Sequence, residues 1–150
     1  MSDNAEMMKL YSARILALAA DIPHQGRMDA PQTSVKRRSP LCGSTVTVDL
    51  DMAGGRISGF AQEVKACALG QAAAAILGQV VIGRSAEELA TARAQLHSML
   101  TADGPVPDAP FDGYEVLLPA REYRNRHASI LLALDATLEA SQTLTQDAPT

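Results

Sequence analysis

The sequence predicts an α+β protein, with a small antiparallel sheet of about three strands and helices packed on one face. Three observations carry this. An alternating run, Thr45-Val46-Thr47-Val48-Asp49-Leu50-Asp51, leads through a Gly54-Gly55 turn into a second strand-like run. A nearly unbroken stretch of small and apolar residues follows, from Ala66 to about Ile82. Two more helical patterns close the chain, so strands and helices are segregated rather than alternating.

Taken in order, the stretch from about residue 4 to 20 reads as an amphipathic helix. Met7, Leu10, Tyr11, Ile15, Leu18 and Ala19 lie near helical spacing, and Pro23 stops it. A polar loop spans His24 to Gln32, and Thr33 to Arg38 forms a short strand ended by Pro40. In the strand 45–51, Val46, Val48 and Leu50 face one way and the polar residues the other. Gly54 and Gly55 supply hairpin chemistry, and Arg56 to Val64 returns antiparallel, with Gly59 a weak point that marks a bulge. The stretch 66–82 is apolar all round, which predicts a buried helix ended by Gly83. Ser85 with Glu88 three positions later is a capping-box signature that opens a helix to about Leu100. Residues 101–113, with three prolines and two glycines, read as loop. The last helix runs from Arg126 to about Gln142, with Ile130, Leu131, Leu134 and Leu138 on one face, and 143–150 is expected as a flexible tail.

Composition limits the function classes. The 150 residues suit one domain spanning 1–150, and 47% hydrophobic with 20% charged content is ordinary for a soluble protein. There is no Trp, so the core must be built from Ala, Leu, Val, Ile and Met. A net charge of −4 argues against nucleic acid as a general partner. No apolar run reaches the length that spans a membrane, and Asp3 and Glu6 precede the first apolar stretch, unlike a secretory signal. The expectation is a cytoplasmic protein whose two cysteines are thiols rather than a disulfide.

Those cysteines are the chemical focus. Cys42 lies in Ser39-Pro40-Leu41-Cys42-Gly43-Ser44, a turn that presents a side chain and contributes little packing. Cys67 sits where a strand becomes a helix, near the positive end of a helix dipole that favours the metal-binding thiolate. Read alone, it is equally a small hydrophobe in an Ala-rich helix. His127 opens the last helix among Arg121, Arg124 and Arg126, and by itself reads equally as a surface histidine or a ligand. His24 and His97 read as surface residues. Two cysteines and a histidine at junctions can make a three-ligand metal site with an open fourth position.

These residues resemble the U-type iron–sulfur cluster assembly scaffolds, the IscU, SufU and NifU N-terminal family, over nearly the whole chain. Ser39-Pro40-Leu41-Cys42-Gly43-Ser44 is similar to that family's Asn-Pro-x-Cys-Gly-Asp. Ala66-Cys67-Ala68 resembles its second cysteine before a small-residue helix, and Ile82 to Glu88 its Lys-Gly-Lys-Ser-x-Glu-Glu helix start. Arg126-His127-Ala128-Ser129-Ile130-Leu131 falls where the family has its third cysteine. Two departures stand out: Ser44 replaces the family's aspartate, and the third cysteine is absent. Either His127 replaces that cysteine, or His127 is the family's neighbouring histidine and Ala128 replaces it. The family's chaperone-read Leu-Pro-Pro-Val-Lys segment is only faintly echoed in Leu118-Pro119-Ala120-Arg121.

The resemblance implies a non-enzymatic scaffold or carrier that takes sulfur from a cysteine desulfurase and gives its cluster to apo iron–sulfur acceptor proteins. It implies a transient iron–sulfur cluster, [2Fe–2S] in form, held by Cys42, Cys67 and His127, with a homodimer forming on cluster binding. A second reading holds Zn²⁺ at the same residues and makes the protein a SufU-like sulfur-transfer partner. A third is a metal-free protein that bridges assembly partners.

Overall fold

The computed structural model describes residues 11–40 and 43–147; Leu41 and Cys42 lie outside the described residues, as do positions 4–10 of the expected first helix. Helix α1 spans Ala13–Ala19, and the Ser12 hydroxyl caps it by accepting from the Ile15 backbone N–H. Tyr11 and Ser12, expected inside this helix, precede it, because Ser at the cap satisfies an amide that a longer helix would not leave free.

The sheet is the expected one. Strands β1 (Thr33–Arg38), β2 (Thr45–Ala53) and β3 (Arg56–Lys65) form an antiparallel meander in the order β1-β2-β3. Register places Arg38 opposite Thr45 and Lys65 opposite Thr45 on the other side. Pairing then runs from Asp51 with Gly59 to Met52 with Ile57, which skips Ser58 beside the weak point expected at Gly59. Val46, Val48, Leu50, Phe60 and Val64 are buried and form the sheet's share of the core.

Helix α2 (Ala68–Val80) is buried along most of its length, as its all-round apolar sequence requires. It begins two residues later than expected, with Cys67 in extended conformation as its N-cap residue. Helix α3 (Ala86–Thr101) opens with the complete Ser85–Glu88 capping box. The expected loop 101–113 is shorter, because a 3-10 helix spans Phe111–Glu122. Its buried residues, Phe111, Tyr114, Leu117 and Ala120, recur every third position, which is the 3-10 repeat. Helix α4 (Arg124–Asp147) is longer than the expected 126–142 and takes in much of the stretch expected as tail. Helix α4 and the 3-10 segment pack against each other and each against α2 and α3, with α4 also lying along β1 and β2.

The other face of the sheet is partly covered by the loop before β1. Asp49 points there from β2 yet is fully buried, because Arg27, Ser34 and the Met28 backbone N–H all donate to its carboxylate. Gly26 N–H donates to Gln62 O and Gln62 N–H to His24 O, so the same loop also covers the free edge of β3. No helix among the described residues is long and apolar enough to cross a membrane.

Candidate metal centre at the thiol end

One end of the molecule gathers the chemistry. The turn between β1 and β2 is closed by Ser39 N–H donating to Ser44 O at 2.8 Å and Gly43 N–H to Ser39 O at 3.1 Å. Gly43 takes φ of +70°, a conformation that a Cβ would strain, so the Cys-Gly order in this turn has a conformational reason. The candidate ligand Cys42 sits between these bonded residues but outside those described.

Cys67 is half-buried at the head of α2, and its thiol is free. Its Sγ lies 3.5 Å from Ser129 Oγ, which in turn lies 3.0 Å from Ser44 Oγ. Both serines are buried, so the contact joins the head of α2, the start of β2 and the first turns of α4. Close approach is what makes this possible. A Cβ at Gly70 would meet Ser129 Oγ at 2.6 Å, so only glycine lets α2 come this near α4.

His127 is 7% exposed, not the surface residue that a basic patch suggested. Its Nε2 lies 2.8 Å from the carbonyl of Ala120 in the 3-10 segment. A carbonyl only accepts, so Nε2 carries the hydrogen, and Nδ1 has no hydrogen-bond partner among the described residues. The ring borders a cavity of about 280 Å³ shared with Arg38, Ser39, Pro40, His97 and Ala128. On its other side it borders a wider groove of about 1220 Å³ along Leu118, Pro119 and Arg124.

The structure therefore sorts the expected ligands into two groups. Cys67 meets Ser129, which in turn meets Ser44, while His127 and Ala128 face the Ser39-Pro40 side of the turn that carries Cys42. Among the described residues no three His, Cys, Asp or Glu side chains come together at metal-binding distance. His24 is exposed, its ring edge-on to Phe60, and His97 is exposed on α3, both as expected, although His97 shares the cavity with His127. The Ser44–Ser129 pair was not foreseen; its only trace in the sequence is the serine standing where the motif has an acid. The donor set nevertheless fits a transition metal. A cysteine thiolate is a soft ligand and a neutral imidazole a borderline one, and a ligating histidine commonly donates its other N–H to a backbone carbonyl, as His127 does.

The fold has a close counterpart among solved structures. A nitrogen-fixing NifU-like protein (N-terminal) from Brucella abortus superposes with a TM-score of 0.92 and 40% sequence identity, covering 95% of this chain and 99% of that one. The chain belongs to the NifU-like N-terminal family. A putative iron–sulfur cluster assembly scaffold protein for the SUF system from Fervidobacterium islandicum shares the fold, with a TM-score of 0.78 and 19% identity over 89% of this NifU-like chain and 97% of its own. So does a hypothetical protein with a TM-score of 0.77 and 23% identity, covering 90% and 98% of the two chains. No protein-family model and no curated protein matches the sequence. The α+β architecture with its three-stranded antiparallel sheet is that of these neighbours.

Proposed function

We propose that this protein is an iron–sulfur cluster assembly scaffold or carrier rather than an enzyme. The observation that carries the reading is its similarity along 95% of the chain to the NifU-like protein from Brucella. In this reading the cluster is cargo, [2Fe–2S] in form, built with sulfur from a cysteine desulfurase and passed to apo-proteins in the cytoplasm. Cys42, Cys67 and His127 would hold it, with the fourth position open to water, a small thiol or a residue of a partner or second copy.

The chain's own residues support that role in two ways. His127 is already held by its Nε2–H, and Nδ1 has no partner among the described residues, so a metal need not compete there with a bond to any of them. The Ser129 hydroxyl, backed by Ser44, can turn to donate towards sulfur at Cys67, and hydrogen bonds to ligating sulfur raise a cluster's reduction potential. Neutral imidazole in place of a thiolate acts in the same direction. A cargo site with few thiolates is also easier to empty, which suits delivery.

Metal analysis with an ultraviolet–visible spectrum, on protein purified without oxygen, tests the reading. The expected result is iron with visible charge-transfer bands that weaken or shift in His127→Ala and are lost in Cys67→Ser. Stoichiometric zinc without colour would instead mean a sulfur-transfer partner, confirmed if added protein raises desulfurase turnover. Neither metal in a folded protein would sink both.

A further inference from the structure

We infer that Arg121 and the 3-10 segment position His127, so that the metal is taken on Nδ1 and the docking of this segment sets how tightly it is held. The inference rests on the metal-binding reading above and adds to it which nitrogen binds and what holds the ring.

The argument begins at the end of α3. Its last carbonyls have no partner within the helix, and the carbonyl end of a helix attracts a cation. Arg121 supplies one. Its Nε donates to Met99 O at 2.7 Å and a terminal nitrogen donates to Gly104 O at 2.8 Å. A carboxylate oxygen of Asp103 lies 3.6 Å from the same Nε. This fork pins the C-terminal end of the 3-10 segment to α3.

The residue beside it is Ala120, fully buried against the core, so its carbonyl is fixed from both sides. That oxygen accepts the Tyr123 backbone N–H at 3.0 Å and the His127 ring N–H at 2.8 Å. Both lone pairs are used, and the imidazole plane follows the carbonyl. Fixing Nε2 as the donor leaves Nδ1 as the ring's basic nitrogen. A chain of contacts thus runs from Met99 through Arg121 and Ala120 to the candidate ligand, while Arg121 itself hydrogen-bonds to neither Cys67 nor His127.

Binding free energies are reciprocal. If the docked segment orients Nδ1 for the metal, the metal must in turn stabilise the docked segment.

The test uses zinc alone as probe and protein labelled with ¹⁵N at its histidine rings. His24 and His97 are exposed and serve as internal references. In metal-free protein above neutral pH, His127 is expected to show a slowly exchanging Nε2–H, and zinc should shift Nδ1 but not Nε2. Arg121→Ala is expected to lose the slow exchange and weaken zinc binding about tenfold, with Arg121→Lys restoring part of it. Arg56→Ala, which removes an ion pair to Glu88 in the first turn of α3, at the opposite end of that helix from Met99, should change neither. A hydrogen on Nδ1, zinc on Nε2, or unchanged affinity in Arg121→Ala while His127→Ala weakens binding would each overturn the inference alone. Unchanged affinity in His127→Ala would overturn it together with the metal-binding reading.

Discussion

Asp49 shows what a single residue contributes away from the thiol end. Burial alone would push its carboxyl up, but hydrogen bonds from Arg27, Ser34 and the Met28 N–H outweigh burial and hold it below the usual range. A carboxyl depressed in the folded state contributes stability that is present above its unfolded pKa and lost as pH falls through the folded one. Asp49→Asn should therefore cost about 2 kcal/mol at neutral pH. The loss should shrink as pH falls below about 4, where the carboxyl of the unfolded wild-type chain begins to protonate, and further once the folded one does. Urea denaturation at several pH values measures this. An equal loss across the whole acid range would assign the effect to packing instead. Alternation makes Asp49 legible as an outward residue, but not as a buried one. Burial comes from Arg27 and Met28, whose loop carries no periodic signal.

Among elements, the contact of α2 with α4 is the one that bears on the site. Gly70→Ala adds up to about 1 kcal/mol of helix propensity, yet its Cβ would fall 2.6 Å from Ser129 Oγ and 2.9 Å from Ala66 Cβ. The clash should win, with a net loss of about 1–2 kcal/mol. Adding Ser129→Ala should recover part of that loss, because one of the two close atoms is removed. Thermal unfolding of the single and double variants decides it; strict additivity would mean the two residues do not press on each other. The strands, α2 and α3 are legible because each has a strong period or cap. The 3-10 segment is not, since Phe111, Tyr114, Leu117 and Ala120 repeat at three, which matches neither the strand period of two nor the α-helical 3.6. The position of His127 depends on that segment, and so its burial was equally hidden.

For the whole molecule, ligand linkage gives the simplest readout. If metal binds only the folded chain, zinc at one hundred times its dissociation constant should add about 2.7 kcal/mol of stability. Cys67→Ser combined with His127→Ala should abolish the gain, and a gain that survives would place the metal elsewhere. The family resemblance in the cysteine turn and around Cys67 pointed to the same fold class as the periodicity did, and 40% identity to a NifU-like structure agrees with it. What the motif could not convey is the meeting of Ser129 with Cys67, since that depends on how close two helices come. Strand β1 carries a last consequence. Nothing pairs with its outer side among the described residues, and Lys36 and Arg38 stand exposed along it. An open strand edge invites stacking with the same edge of another copy, and like charges brought together there oppose it. If Cys42 and Cys67 carry the proposed cargo, the same repulsion guards against a β-aggregation that would hide them.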